Sequence, residues 1–198
     1  INVIKEYFAC CYANEDFMVP KFINESIEAA NLRVREEAYN NEEYFGMGTT
    51  ITMVVVDLIE NTAYVGNVGD SRTYILRNDE IKQITEDHTY VHELVKEKRI
   101  TVDEAKKHPK RNVITRAIGS EEYIMTDIFE IELEDGDILL LCSDGLTTHI
   151  SDDKIIETIK TYGCSGSVEK LIKLSNDNGG TDNITVIIID NDSRGDNL

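Results

Sequence analysis

The feature that most constrains the fold is a continuous apolar run, Ile138–Leu141, which stops shortly before the sequence Ser143-Asp144-Gly145. A run of this kind is typical of a strand that is buried on both faces. Gly145 permits a sharp backbone turn, so Asp144 stands at the end of a buried strand, beside a turn. On its own, this pattern is also explained by an Asp that caps the turn or a short helix after it.

Two further strands have a carboxylate next to glycine at one end. The segment Val65–Asp70 is an apolar run that ends in Gly-Asp, and Gly179–Asp190 places two glycines and Asp182 before an apolar run. If these strands share one antiparallel sandwich, Asp70, Asp144 and Asp182 can converge at one edge. Clustered carboxylates repel each other unless they share protons or bind a cation. Oxygen ligands select hard ions such as Mg²⁺ or Mn²⁺.

The composition fits one domain with a sizeable core, because 41% of the 198 residues are hydrophobic. The net charge of -18 argues against nucleic acid and anionic membranes as partners, because phosphate backbones bind basic patches. No apolar run approaches the length of a membrane span.

The absence of CxxC pairs and zinc-type spacings indicates a reducing, cytoplasmic compartment. The four cysteines are Cys10, Cys11, Cys142 and Cys164.

The periodicity of the sequence predicts helices near both ends of the chain and strands between them. The predicted helices are Ile1–Ala13, Phe22–Tyr39, Ser151–Tyr162 and Val168–Asn178, and the predicted strands include Thr62–Val68, Ser71–Arg77, Glu80–Ile84 and Asn183–Ile189. Residues 46–60 form a hairpin with Thr62–Val68, and Ile124–Leu133 forms a hairpin with Ile138–Cys142. This order predicts an α+β fold, a β-sandwich with helices outside, in one domain over residues 1–192 with a polar tail at 193–198.

Residues 85–120 form a locally basic insertion in an acidic chain. Their pattern predicts two short helices, Tyr90–Lys98 and Val102–Lys107, followed by a loop at His108-Pro109. The basic residues are Lys96, Lys98, Arg99, Lys106, Lys107, Lys110, Arg111 and Arg116. This charge is either a solvated helical face or a docking flap for an anionic substrate, and we refer to the insertion as the flap.

The four histidines give only weak evidence of a functional role. His88 and His92 lie four residues apart in the first flap helix, a spacing that can bind metal. No Glu, Cys or His nearby completes a site, so we interpret both as solvated. His149 follows the SDGL sequence and could lie near the metals, and His108 precedes Pro109, where a hinge or turn role is favoured over proton transfer.

Six motifs occur in order along the chain: GMGTT (46–50), VGDSR (68–72), ITEDHTYV (84–91), HPKRNVITRAIG (108–119), LLLCSDGL (139–146) and GGTDNITVIII (179–189). Together they resemble the metal-dependent serine/threonine protein phosphatases, and more closely the bacterial branch of the type 2C (PPM) family. The resemblance covers nearly the whole chain, up to Asp190. It implies a double antiparallel β-sandwich flanked by helices, in an αββα arrangement.

The resemblance also implies a binuclear Mn²⁺ or Mg²⁺ centre. The reaction implied is direct hydrolysis of phosphoserine and phosphothreonine in proteins by a metal-activated water, without a phosphoenzyme. By motif, Asp144 and Asp182 are implied to bind the metals directly, and Asp70 to bind a third, more weakly held ion. Gly145, within the same SDGL motif, is assigned to the cofactor site.

The insertion at 85–120 resembles the mobile flap that borders the active site in this family. Its candidate substrate-binding residues are His108, Lys110 and Arg111, and its basic character fits the docking of phosphopeptides. The partners implied are phosphorylated proteins and, in bacteria, a cognate Ser/Thr kinase whose action the phosphatase opposes. Nucleic acid and membranes are not expected as partners, and the expected location is the cytoplasm.

Two family motifs that should precede the first helix are absent from this sequence. The motif RxxNED supplies a phosphate-binding Arg, and DGMGG supplies an Asp that bridges the two metals. The letters NED occur at 14–16, but Cys11 occupies the Arg position, and the GMG at 46–48 has no Asp before it. We therefore expect this chain to lack the N-terminal strands of the family and to be nearly inactive, and the full-length protein to be a phosphatase.

Two other functions compete with this one. A non-catalytic pseudophosphatase that binds a partner protein is favoured by the absent motifs, but the retained Asp70, Asp144 and Asp182 argue against it. A cation-binding protein of unrelated function is disfavoured, because the sequence has no D-x-D-x-D-G loop.

Overall fold

The computed structural model describes residues 1–2, 4–5 and 17–191. The helix predicted at Ile1–Ala13 falls largely outside these residues, and so do Cys10, Cys11 and the predicted polar tail at 193–198. From residue 17 to residue 191 the description is continuous.

The described chain contains both helices and strands, as in an α+β protein. The α-helices are α1 (Val19–Asn40), α2 (Tyr90–Lys96), α3 (Val102–Lys107), α4 (Asp144–Thr147) and α5 (Asp152–Asp177), with a 3-10 helix at Glu42–Tyr44. The strands are β1 (Ile51–Asp57), β2 (Thr62–Val68), β3 (Arg72–Arg77), β4 (Glu80–Gln83), β5 (Asp127–Glu132), β6 (Asp137–Cys142) and β7 (Val186–Asn191). In this part of the chain, no helix combines the length and the apolar character needed to cross a membrane.

One sheet has four strands in the order β4-β3-β6-β7 and is antiparallel throughout. Strand β6 lies inside it, which explains its unbroken apolar sequence: Leu139 and Leu140 are almost fully buried. Helix α5 packs against this sheet, and its Ile155 and Leu171 share one hydrophobic core with Leu140. Each fully buried side chain of this size stabilises the fold by about 2 kcal/mol.

Helix α5 is broken at Gly163, whose φ of 67° and ψ of 174° lie outside the helical region. A positive φ favours glycine because it has no Cβ. The break confirms the predicted stop at Gly163 between two helices. The first of them also begins as predicted, because the Ser151 hydroxyl accepts a hydrogen bond from the Lys154 N–H at 3.4 Å.

The second sheet has three strands in the order β1-β2-β5. Its β1–β2 pair confirms the hairpin predicted after the glycine-rich turn. Strand β2 is the central strand, and its Ala63, Val65 and Val68 are fully buried.

The predicted hairpin between Ile124–Leu133 and Ile138–Cys142 is wrong. The first segment forms β5 in the three-stranded sheet, whereas the second forms β6 in the four-stranded sheet. Strand β6 already pairs with β3 on one edge and with β7 on the other, so it has no edge left for β5. The short connection at 134–136 therefore passes from one sheet to the other.

The chain divides into two compact units, each assembled from three separate stretches. The first unit comprises Ile1–Val55, Gly66–Asp70 and Asp87–Ile128, and it contains α1 and the flap helices α2 and α3. The second unit comprises Val56–Val65, Ser71–Glu86 and Phe129–Leu198, and it contains the four-stranded sheet, α4 and α5. Neither unit is continuous in sequence, so they are not successive domains, and one domain over residues 1–192 stays a prediction.

A buried ion pair joins β3 and β6 at one end of the four-stranded sheet. Asp137 opens β6 and is only 1% exposed. The Arg77 guanidinium, at the end of β3, binds both of its carboxylate oxygens, with Nε–Oδ1 at 2.8 Å and Nη2–Oδ2 at 2.6 Å. The Glu134 N–H also donates to Asp137 Oδ2, at 2.7 Å. A buried carboxylate that loses its partner is strongly destabilising, because its charge stays desolvated and unpaired.

Replacing Arg77 by Met keeps most of the side-chain volume but leaves the Asp137 carboxylate unpaired. We expect Arg77→Met to lower the free energy of unfolding by about 3 kcal/mol in urea denaturation. The matched control is Lys160→Met, which removes a 2.8 Å ion pair with Asp79 at a solvent-exposed position. That change should cost less than about 1 kcal/mol. Equal losses in the two variants would contradict the role that we assign to burial.

Candidate active site

Asp144 lies where the buried strand β6 gives way to the short helix α4. The strand ends at Cys142, Ser143 occupies the N-cap position, and Asp144 is the first residue of the helix. The simple alternative, an Asp at the cap position, is therefore wrong, because that position belongs to Ser143. The carboxylate of Asp144 is half-buried.

The loop that carries Asp182 is held against this turn by Ser143. The Ser143 hydroxyl donates to Asn183 O at 3.1 Å and accepts from the Thr185 N–H at 3.0 Å. The Ser143 N–H donates to Thr185 O at 3.1 Å. These bonds continue the β6–β7 pairing beyond the strand ends. Asp182 itself is exposed, and its Oδ1 accepts from the Asn183 N–H at 2.7 Å.

Gly145 is required by a close approach of two backbones. A Cβ at this position would lie 2.3 Å from Asn183 O, a distance that no real Cβ contact reaches. The prediction that Gly145 permits a sharp turn is wrong, because Gly145 lies within α4 and is not among the residues with positive φ. The missing side chain allows the Asp144 and Asp182 loops to meet.

The two carboxylates are close enough for the charge of one to act on the other. Burial raises the pKa of the Asp144 carboxyl above its ordinary value, and the negative charge of Asp182 raises it further. The Gly145 N–H and the Arg72 guanidinium act in the opposite direction without cancelling the increase. Carboxylates that repel each other in this way attract a cation.

Asp144 and Asp182 offer two carboxylates, which is fewer ligands than a hard divalent cation takes. Within the residues that the structure describes, no group of three or more His, Cys, Asp or Glu side chains is arranged to hold a metal. Proteins often bind Mg²⁺ through one or two carboxylates, together with waters and substrate phosphates. The pair therefore fits such an ion as part of its coordination sphere.

His149 fixes the turn immediately before Asp182. Its Nε2 lies 2.9 Å from the Thr181 hydroxyl and 3.4 Å from the Thr181 backbone N, and the Asn178 side-chain amide donates to His149 O at 3.1 Å. A Cβ at Gly179 would lie 3.0 Å from the His149 ring. The sequence suggests only that His149 could lie near the metals, whereas the structure shows that it supports the loop of Asp182.

Asp70 belongs to the other compact unit, where it follows the end of β2. Strand β2 ends at Val68, and Gly69 then turns the chain with a φ of 107°. A Cβ at Gly69 would lie 2.3 Å from Thr50 Cγ2. The positive φ and the close approach both require glycine, so the half-buried Asp70 extends from a tightly constrained backbone.

His88 is a residue whose role the sequence analysis missed. The prediction of a solvated histidine in the first flap helix is wrong, because α2 begins only at Tyr90 and His88 is 4% exposed. Its Nδ1 accepts from the Gly69 N–H at 3.0 Å, and its Nε2 donates to Asp127 at 3.0 Å. The only sequence signal was its place in the ITEDHTYV motif, because its neighbours Asp87 and Thr89 are polar and give no periodicity.

The flap helices match their predicted positions, and the three candidate substrate residues lie in the loop that follows them. His108 ends α3, and its Nδ1 accepts from the Lys110 N–H at 3.1 Å. The Tyr90 ring lies next to both residues, with its centroid 5.8 Å from that of His108 and 5.3 Å from Lys110 Nζ. The Arg111 side chain is exposed and makes no ion pair within the described part of the chain.

A family model described as Protein phosphatase 2C matches residues 11–184. The chain belongs to the protein phosphatase 2C family. It is similar to the serine/threonine phosphatase stp of Listeria innocua, with 35% identity over 187 residues, which cover 94% of this chain and 72% of that protein. It is also similar to the protein phosphatase PhpP of Streptococcus pneumoniae, with 35% identity over 190 residues, 96% of this chain and 70% of the relative.

Solved structures of protein phosphatase 2C type share the fold. The serine/threonine phosphatase PstP/Ppp of Mycobacterium tuberculosis has a TM-score of 0.86 at 33% identity, covering 96% of this chain and 80% of that one. The catalytic domain of PstP in complex with two manganese ions has a TM-score of 0.81 at 32% identity, covering 96% and 79%. The predicted α+β class with antiparallel sheets and flanking helices is confirmed, as is the resemblance to bacterial type 2C phosphatases.

In this protein phosphatase 2C chain, Asp144→Asn removes a carboxyl whose pKa is raised by folding. Such a group stabilises the fold below its ordinary pKa of about 4 and loses that stabilisation as the pH rises through the raised value. In metal-free solution we expect Asp144→Asn to unfold at higher urea than the wild type at pH 7. The difference should disappear below about pH 4. A wild type as stable as the variant at pH 7 would contradict the raised pKa of the Asp144 carboxyl, which burial and the charge of Asp182 produce together.

Gly145→Ala places a methyl group where Asn183 O lies, so the loop of Asp182 must move. We expect the free energy of unfolding to fall by about 2 kcal/mol, with changed amide chemical shifts at Asp182 and Asn183. The matched control is Gly166→Ala within α5, where the new Cβ would lie 3.3 Å from Tyr162 Cβ. That change should be neutral or stabilise the helix by up to about 1 kcal/mol. Unchanged shifts at Asp182 in Gly145→Ala would refute the steric argument.

Proposed function

We propose that this chain carries the metal site of an enzyme that removes phosphate from phosphoserine and phosphothreonine in proteins. The observation that supports this most directly is the fixed pair of carboxylates, Asp144 and Asp182, at the ends of adjacent strands. Membership of the protein phosphatase 2C family supports the activity, since relatives in Listeria and Streptococcus bear it in their names. The similar PstP structure with two manganese ions supports Mn²⁺ or Mg²⁺ as cofactor.

Asp144 and Asp182 would hold the cofactor, and Asp70 would bind a further ion. When bound, such cations activate water for attack on phosphorus and neutralise charge on the phosphoryl oxygens. The role of Gly145 is steric, because its missing side chain lets the Asp144 loop and the Asp182 loop meet. Ser143 and His149 keep that arrangement through hydrogen bonds to the Asp182 loop.

The flap would attract the phosphorylated substrate. Arg111 is exposed and can form a two-point ion pair with a phosphate, for which the guanidinium is well shaped. Lys110 and His108 are held against Tyr90, so their positive and polar groups are partly ordered before substrate binds. Ordering before binding reduces the entropy that association costs.

The physiological partners would be phosphorylated proteins and the Ser/Thr kinase that produces them, in the cytoplasm. The bacterial relatives and the strongly acidic composition support a protein substrate over nucleic acid. A second function, a pseudophosphatase that binds phosphoproteins without hydrolysis, is favoured by one observation. Within the described residues, no group of three or more His, Cys, Asp or Glu side chains is arranged to hold a metal.

An assay of phosphothreonine-peptide hydrolysis, run with Mn²⁺ and with EDTA, distinguishes the two functions. The assay compares this chain with the same chain preceded by the RxxNED and DGMGG segments of a relative. We expect the extended form to turn over only with the cation, and Asp144→Asn or Asp182→Asn in it to lower the rate by about 100-fold. The matched control is Asp152→Asn, in the first turn of α5, which should retain full activity.

If neither form turns over although Mn²⁺ binds, the pseudophosphatase is the better account. If the unextended chain turns over as fast as the extended one, the expected requirement for the two absent motifs is wrong.

A further inference from the structure

The Asp70 loop contacts a buried histidine that the proposed chemistry does not use. Both ring nitrogens of His88 are occupied, because Nδ1 accepts from the Gly69 N–H and Nε2 donates to Asp127 Oδ2, each at 3.0 Å. The Gly69 N–H can only donate, so Nδ1 carries the lone pair and Nε2 the proton. The hydrogen bonds therefore select one tautomer of the imidazole.

His88 also holds Gly69 through the main chain. The His88 N–H donates to Gly69 O at 3.0 Å, so one residue binds both the N–H and the C=O of Gly69. Thr50 packs where a Cβ of Gly69 would be. Gly69 cannot rotate without losing one of these contacts, and Asp70 is the next residue. His88 therefore constrains the direction in which Asp70 leaves the backbone, together with Thr50 and with Asn67, whose side-chain amide donates to Gly69 O at 3.3 Å.

On its other side, His88 is tied to the part of the flap at residues 113–116. The Thr115 N–H donates to His88 O at 2.8 Å, and Arg116 Nη1 donates to Asp127 Oδ1 at 2.8 Å. Burial raises the pKa of the Asp127 carboxyl, but hydrogen bonds from His88 and Arg116 outweigh that effect and lower it below its ordinary value. Asp127 therefore stays ionised and orients the Nε2–H of His88.

We propose that His88 is a positioning residue for metal binding: its imidazole, oriented by Asp127, fixes the backbone of Gly69 and so directs the carboxylate of Asp70. The inference rests on the proposed function, in which Asp70 binds a divalent cation. A ligand that is fixed in direction loses less conformational freedom when it binds. Groups that orient metal ligands typically contribute about 10- to 100-fold in metal affinity.

Two amide substitutions separate the two ring nitrogens. His88→Asn keeps an acceptor near the position of Nδ1 for the Gly69 N–H and loses the bond to Asp127. His88→Gln keeps a donor near the position of Nε2 for Asp127 and loses the bond to Gly69. If His88 acts through Gly69, the Asp70-dependent affinity for Mn²⁺ should fall about tenfold in His88→Gln and less than about threefold in His88→Asn.

The readouts are Mn²⁺ titration of the whole chain, followed by electron paramagnetic resonance, and hydrogen exchange of the Gly69 amide. Exchange at Gly69 should accelerate in His88→Gln more than in His88→Asn, because only the first loses the acceptor. Asp127→Asn tests the same positioning effect without changing the buried imidazole ring of His88. It should give faster Gly69 exchange and an Mn²⁺ affinity between those of the wild type and His88→Gln. Thermal unfolding records the stability of every variant.

Asp70→Asn distinguishes failure of this inference from failure of the proposed function. If it leaves Mn²⁺ binding unchanged, Asp70 is not a ligand and the proposed assignment fails. If it weakens binding while His88→Gln and Asp127→Asn keep wild-type affinity, the positioning role is overturned and the ligand assignment stands. Equal losses of affinity in His88→Asn and His88→Gln, in proportion to their losses of stability, would show a merely structural role and would also overturn the proposal.

Discussion

The sheet pairing of β6 with β7 forces two carboxylates together, and the candidate site depends on that constraint. The register runs from Asp137 opposite Asn191 to Cys142 opposite Val186, and the bonds of Ser143 continue it into both loops. Each backbone hydrogen bond contributes only about 1 kcal/mol, but the ladder contains many of them. The repulsion between two partly solvated carboxylates is of the same order as a few such bonds. The sheet therefore imposes the repulsion, and a bound cation would relieve it.

Neutral groups hold the loops of the proposed ligands. Near Asp182 these are the Ser143 hydroxyl and the His149 imidazole, and at Gly69 the holding group is the lone pair of His88. A Lys or Arg in these places would stabilise the carboxylates as ion pairs and so reduce their affinity for a cation. Arg77 shows the contrast, because its two-point pair with Asp137 completes that carboxylate and serves only the sheet.

The sequence was a good guide wherever the determinants are local. The bounds of Thr62–Val68 and Val102–Lys107 match because a short apolar run between turn residues and the Thr101–Glu104 capping box both act within a few residues. The hairpin of β5 with β6 failed because the choice of strand partner depends on β3 and β7, which lie far away in sequence. His88 was misassigned for the same reason, because distant Gly69 and Asp127 bury it.

The proposed role of the flap requires an acidic protein to attract an anionic substrate. The chain has 38 Asp and Glu against 20 Lys and Arg, so its overall field repels a phosphorylated protein. At physiological ionic strength, charges separated by more than about 8 Å are largely screened. A phosphate that approaches the flap therefore responds mainly to nearby groups such as Lys110 and Arg111, and weakly to the distant acidic surface. Under the proposed function, local charge near the flap, and not net charge, would determine which anions the protein can hold.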